Sequence, residues 1–188
     1  MRKLLLVRHS LPVITGDQTA SLWQLSEEGR RRCEHLAELL AAHRPGVIVT
    51  SSEPKAIETG QIVGEQLGIP VETAPNLHEH ERPGTDLDTF EQFQAKVARL
   101  LEHPGELVFG AETGTQARER FSAAVGDALK RHPAGDLAIV SHGTVMTLFL
   151  AHATGIDPVP FWKGLGLPAF VVLSHPELEM LELVATVE

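Results

Sequence analysis

Two segments constrain this chain more than any others. Leu4-Leu5-Leu6-Val7-Arg8-His9-Ser10 and Leu137-Ala138-Ile139-Val140-Ser141-His142-Gly143 each run an apolar stretch into a polar stop that carries histidine. A continuous apolar run of strand length reads as a strand buried on both faces, the signature of a parallel sheet covered by helices. A strand that ends in charge delivers that charge to the rim of the sheet, where open α/β folds keep their ligands. Two such strands predict two imidazoles converging on one site.

The rest of the chain alternates strands and helices. Lys3 to Val7 reads as the first strand. Leu25-Ser26-Glu27-Glu28-Gly29 opens a helix with Ser26 as N-cap and acid in the first turn; Leu36, Leu39 and Leu40 follow at helical spacing, and Pro45-Gly46 closes it. Val47 to Thr50 is a short strand. Pro54 to Leu67 reads as a second helix, with Pro54 tolerated in its first turn and Gly68 as its stop. Pro70 to Thr73 is a candidate strand, and Pro75 to Asp88, dense in His, Glu and Pro, is an irregular stretch near the sheet rim. Helices near Asp86 to Glu102 and Glu112 to Arg131 precede the strand Leu137 to Val140 and a helix from Thr144 to about Thr154. A Gly- and Pro-rich connection, Asp157 to Pro168, leads to strands Ala169 to Leu173 and Leu178 to Val184, joined by a hairpin turn at His175-Pro176-Glu177. No repeat, low-complexity tract or linker interrupts this order. The expectation is one α/β domain over residues 1–188, a three-layer α/β/α architecture whose central sheet is mostly parallel with an antiparallel edge.

Composition narrows the function. At 188 residues and 43% hydrophobic, the chain can bury one real core. A formal charge of −9 argues against non-specific nucleic-acid binding, which needs basic surface to displace counterions. An anionic ligand stays open, because a small site can be positive on an acidic protein. Cys33 stands alone, so neither an intrachain disulfide nor a multi-cysteine zinc site is expected. Leu4 to Val7 is too short for a signal-peptide core, and no apolar run approaches membrane-spanning length. A soluble, cytoplasmic protein with no membrane or nucleic-acid partner is expected; the oligomeric state is not written in the sequence.

The residues at the strand ends suit phosphoryl transfer, which needs a nucleophile, fixed positive charge on the non-bridging oxygens and an acid for the leaving oxygen. His9 is the candidate nucleophile, and Arg8 beside it disfavours imidazolium while offering a planar fork to phosphate. His142 precedes a helix whose first N–H groups, at Gly143 and Thr144, suit an anion, and a protonated His142 could donate to a phosphoryl oxygen. Thr50-Ser51-Ser52-Glu53-Pro54-Lys55 carries hydroxyls off a strand end and then a cation on the first helical turn. Glu79 and Glu81 are the candidate proton donors. His78-Glu79-His80 admits a metal reading as well, although two close histidines are unremarkable among ten. Arg30-Arg31-Arg32 reads as a solvated helix face, and Phe161-Trp162 as packing rather than pocket lining.

In order and spacing, these motifs resemble the histidine phosphatase superfamily, also called the phosphoglycerate mutase-like fold. Arg8-His9-Ser10 matches its opening Arg-His-Gly, and Leu25-Ser26-Glu27-Glu28-Gly29-Arg30 matches its first helix start. Ser51 to Thr59 follows its Ser-Ser-x-x-x-Arg-Ala-x-x-Thr segment, and Leu77-His78-Glu79 its acid motif. Gly110-Ala111-Glu112-Thr113 with Arg120, and finally Ser141-His142-Gly143, complete the series across almost the whole chain. The resemblance implies a metal-independent phosphomonoesterase without cofactor, acting on a small phosphorylated substrate or a phosphoprotein. His9 would be phosphorylated, Arg8, Lys55 and His142 would hold the phosphoryl group, and Glu79 would be the proton donor. Two positions depart from the pattern. Ser10 replaces a glycine, and would bond phosphate or narrow the pocket; Lys55 replaces an arginine, keeping the charge without the fork. Two other readings accompany the first: a mutase returning the phosphoryl group to a second oxygen, and a phospho-ligand binding protein with a weakened site.

Overall fold

Period-two alternation along the strands decides how the layers stack. In a computed structural model of the chain, residues 2–16, 18–83 and 89–188 are described. Strand β1 (Arg2–Arg8) buries Leu4 and Leu6 toward one side and Leu5 and Val7 toward the other, so each face needs its own cover of helices. One cover comes from α1 (Glu27–Ala41) and α2 (Pro54–Leu67), whose Cys33, Leu36, Leu40, Ala56 and Val63 pack under Leu5, Val7 and Ile48. The other comes from α3 (Phe90–Glu102), α4 (Gly114–Arg131), α5 (Gly143–Thr154) and α6 (Pro158–Gly164), packed over Leu4, Leu6, Val49 and Ile139.

The sheet adds β2 (Pro45–Thr50), β3 (Val71–Thr73), β4 (Asp136–Ser141), β5 (Ala169–His175) and β6 (Met180–Val184). The strand order is β3-β2-β4-β1-β5-β6. The pairs β3–β2, β2–β4 and β4–β1 are parallel, while β5 pairs antiparallel to both β1 and β6. The expected three-layer α/β/α fold with an antiparallel edge is what forms.

Capping explains most element boundaries. Ser26 accepts the Gly29 N–H at 2.9 Å, and Thr89 and Thr113 form capping boxes with Gln92 and Gln116. Residues 86–88 of the expected third helix lie outside the described residues, and the described helix opens at Phe90. Pro45-Gly46 opens β2 rather than closing α1, which ends at Ala41. Two described elements are missed from the sequence: a 3-10 turn at Ala20–Leu22, and α6 inside the Gly- and Pro-rich connection. Asp157 caps it through the Val159 N–H at 3.3 Å and Pro158 sits in its first turn, a start signal masked by the surrounding glycines and prolines. The basic triplet lies on a solvated face: Arg30 pairs with Glu58, and Arg31 and Arg32 with Glu28. Among the described residues, no helix is long and apolar enough to cross a membrane.

Candidate active site

Parallel register brings three strand ends level. Arg8 lies opposite Ser141, and Thr50 opposite Val140. The ladder runs one residue further on each side, with His9 N–H donating to the Ser141 carbonyl and Ser51 N–H to that of Val140, both at 2.9 Å. The chain leaving β1 turns to the α1 face and the chain leaving β4 to the α5 face, so a crevice opens between them. The two imidazoles meet there edge-on, with ring centroids 5.1 Å apart.

Two glycines make this convergence possible. A Cβ on Gly29 would fall 2.1 Å from the Leu11 carbonyl oxygen, so the glycine lets α1 press against the loop that follows His9. A Cβ on Gly143 would stand 3.0 Å from Arg8 Nε, so this glycine lets the guanidinium lie against the start of α5.

The hydrogen bonds define the state of each ring. His9 Nδ1 lies 2.7 Å from the Ser10 carbonyl, which only accepts, so Nδ1 carries the proton. Burial, then His142, Lys55 and Arg8, hold the pKa of His9 well below the usual imidazole range. A neutral ring protonated on Nδ1 leaves the Nε2 lone pair bare. His142 Nε2 is 2.8 Å from Ser51 Oγ, which itself accepts the Glu53 N–H at 3.3 Å. Ser51 Oγ can donate to Nε2 or accept from it, while Nδ1 is a buried atom with no partner in the protein. His142 is also held well below the usual range, first by burial and then by Lys55. The protonated His142 expected from sequence is therefore corrected to a neutral ring that still offers one N–H.

Glu79 occupies the start of α5. One carboxylate oxygen accepts the Thr144 N–H at 3.0 Å; the other accepts Val145 N–H at 3.1 Å and His80 N–H at 2.8 Å. The helix N-terminus does attract an anion, but that anion is the protein's own carboxylate. Burial raises the pKa of Glu79, while Arg82, His142 and the N–H donors outweigh it and bring the group to about 2. Glu81 is turned away, half-exposed and 3.2 Å from His78. His80 Nε2 bonds the Glu112 carbonyl at 2.8 Å, so the His-Glu-His run does not converge. Among the described residues, no three His, Cys, Asp or Glu side chains group to hold a metal ion.

Arg120 and Glu112 clamp the loop that presents Glu79. The guanidinium donates to the carbonyls of Asn76, His78 and Glu79 at 2.9, 3.0 and 3.1 Å and binds Glu112 at 2.6 Å. Ser141 Oγ adds a bond to the Leu77 carbonyl at 2.7 Å. Ser10, expected to touch phosphate or narrow the pocket, does neither: its hydroxyl donates to the Gly29 carbonyl at 2.7 Å, inside the α1 layer. Lys55 is buried and its ammonium binds Glu53 and the Ala20 carbonyl. The other Glu53 oxygen accepts the Glu79 N–H at 2.9 Å and lies 3.5 Å from His142 Nε2, so Glu53 ties the lysine, the second imidazole and the acid loop together.

Arg8, His9, Lys55, Glu79 and His142 all line one cavity of about 360 Å³. Six of the eight buried side-chain atoms without a hydrogen-bond partner, among the described residues, belong to its walls: Arg8 Nε, Thr15 Oγ1, Trp23 Nε1, Arg82 Nη1, His142 Nδ1 and Thr144 Oγ1. Buried polar atoms are normally paired, so this concentration marks a site for an acceptor-rich ligand. Sequence reasoning missed Arg82, which approaches from an irregular loop with no motif to announce it, and Glu53, hidden inside the helix-start segment. Trp162, expected only to pack, both packs and lines the cavity.

Two neutral buried imidazoles make stability depend on pH. Below about pH 6.5 the unfolded chain protonates both rings while the folded chain leaves them neutral, so their contribution is complete above that pH and is lost on acidification. Each proton contributes a slope of up to about 1.4 kcal/mol per pH unit. Glu79 acts lower: its contribution is present above about 4.5 and is lost toward about 2. Urea unfolding at pH 7.5, 6 and 5 should show falling stability, with a shallower slope in His142→Gln; a flat response in the wild type would contradict the assigned ring states.

The sequence model of the histidine phosphatase superfamily (branch 1) matches residues 4–177. The uncharacterized phosphatase PhoE of Bacillus subtilis is 22% identical over 71% of this chain, and the match spans 66% of that relative, just under two thirds of its length. A mycobacterial glucosyl-3-phosphoglycerate phosphatase superposes with a TM-score of 0.73 at 21% identity, covering 91% of this chain and 89% of its own. A protein described as mycobacterial hydrolase 1 superposes with a TM-score of 0.80 at 20% identity, covering 98% and 99%. At these identities the superpositions establish the fold.

Proposed function

The chain belongs to the histidine phosphatase superfamily, and we propose that it acts, as one domain over residues 1–188, as a metal-independent phosphomonoesterase working through a phosphohistidine on His9. One observation carries the reading. A neutral imidazole with a bare Nε2 lone pair lines the same cavity as three unpartnered polar groups, Arg8 Nε, His142 Nδ1 and Thr144 Oγ1. A nucleophile facing fixed donors is the arrangement that in-line attack on a phosphoryl group requires.

The steps follow from the proton positions. The substrate enters as its monoanion, and its proton passes to Glu79, whose low pKa rises once phosphoryl charge lies beside it. His9 Nε2 forms a bond to phosphorus as the bond to the leaving oxygen breaks, and Glu79 returns the proton to that oxygen. Arg8, His142 and Thr144 hold the non-bridging oxygens, and Lys55 supplies charge from the second helix. Water then attacks the phosphohistidine as the N–P bond breaks, Glu79 takes the water's proton and passes it to the departing phosphate, and His9 is neutral and Glu79 ionised again.

The test is hydrolysis of a panel of phosphomonoesters with EDTA present and a phosphodiester as control. Monoester turnover that survives chelation is expected. Turnover lost with EDTA, or confined to the diester, would overturn the proposal.

A further inference from the structure

The cavity that holds the imidazoles is lined on its outer side by apolar and aromatic groups. Trp23, Phe93 and Trp162 lie in its walls, and Phe93 and Trp162 meet edge-on at 6.1 Å. The Arg82 guanidinium stacks over Phe93 at 4.6 Å, which leaves its charge near the reaction centre while its plane covers the ring. Ile14 and Phe90 also line the cavity, yet each is 74% exposed. Large apolar side chains left in water around a concave site mark a surface that a ligand covers. A second cavity of about 550 Å³ opens beside Lys55 and Glu79; among the described residues it has no aromatic ring but His78 and His80 in its walls, which mix Ser52 and Glu81 with Leu22, Pro54 and Pro83. Arg8, His9 and His142 line the aromatic cavity and not the second one, so a phosphoryl group held by them sits in the aromatic cavity.

Resting on the phosphatase reading above, we propose that the aromatic cavity is the leaving-group subsite. Its preferred substrates are phosphomonoesters of uncharged, ring-bearing alcohols, the ring seated against Trp23, Phe93 and Trp162. Trp23 Nε1, buried without a partner, offers one donor to an oxygen on that ring. Burial of one ring from water predicts an advantage of about tenfold or more over a two-carbon alcohol.

Binding and turnover separate the two proposals. Calorimetric titration with 2-phenylethylphosphonate, ethylphosphonate and 3-phosphonopropionate reads affinity without chemistry, and quenching of Trp23 and Trp162, the chain's only tryptophans, locates the binding. The phenylethyl compound is expected to bind at least tenfold tighter than the other two. The double variant Ile14→Asp, Phe90→Glu, altered only at exposed positions, is expected to bring that ratio close to one. Hydrolysis of 2-phenylethyl phosphate and ethyl phosphate, whose alcohols ionise similarly, should show the same order in kcat/KM. Equal affinities, or tighter binding of the carboxylate compound, with both esters still hydrolysed, would overturn the subsite and leave the phosphatase reading standing. Neither binding nor hydrolysis of any of these compounds would overturn both.

Discussion

Replacing His9 by alanine should reduce hydrolysis of every phosphomonoester by roughly 10⁴-fold or more, because no other group in the cavity can form the covalent intermediate. Lys55 is held by Glu53 and the Ala20 carbonyl, and the Glu79 carboxylate by three backbone N–H groups. His142, bonded to Ser51 through Nε2, is assigned to hold the phosphoryl oxygens rather than to attack. Loss of folding would not be the cause. The His9 ring is buried in a form that acid penalises, so the alanine variant should unfold with a weaker pH dependence below about 6.5 than the wild type. A folded His9→Ala protein with undiminished turnover would remove the nucleophile from the account.

The second large effect belongs to Glu79→Gln, and it should depend on the leaving group. An alkoxide needs a proton to depart, so alkyl phosphates should lose roughly 10²- to 10³-fold in turnover. p-Nitrophenolate leaves without one, so the first step with p-nitrophenyl phosphate should change little. The second step still needs a base for water, so the phosphorylated variant should accumulate. The wild type adds a pH signature. With Glu79 brought to about 2 in the free site, the proton for the leaving oxygen has to arrive on the substrate. The second ionisation of a phosphomonoester lies near pH 6, so kcat/KM for alkyl esters should fall as pH rises above about 6. The acid limb, set by His9, should lie well below the usual imidazole range. Equal losses for alkyl and nitrophenyl esters in Glu79→Gln would argue against a proton-donor role.

How far the sequence reached depended on whether a feature was local. The two strands ending in histidine are local signals, so the convergence of their imidazoles was legible; that β4 lies directly beside β1, with the rings 5.1 Å apart, was set by the sheet order. The helix start at Ser26 and the stop at Gly68 are equally local, whereas the Thr113 cap is passed over by a reading that starts that helix at Glu112. What else escaped was set by tertiary geometry. Ser10 reads as a pocket residue until α1, pressed close by Gly29, offers it a carbonyl. The Gly143-Thr144 turn reads as a phosphate cradle until Glu79, 65 positions away, is found on it. His142 reads as a cation until burial and Lys55 are counted. The Arg120 clamp on three carbonyls had only a motif match to suggest it, and Arg82 had no signal at all.

The most direct test is to capture the intermediate. Glu79→Gln mixed rapidly with excess p-nitrophenyl phosphate, quenched in base and digested, should release a burst of one nitrophenol per active site. It should carry one phosphoryl group on the peptide containing His9, attached to the imidazole and absent from the Glu79→Gln, His9→Ala double variant. A stoichiometric label on His142 or on a serine hydroxyl, or turnover of the wild type with neither burst nor label under any quench, would contradict a phosphohistidine at position 9.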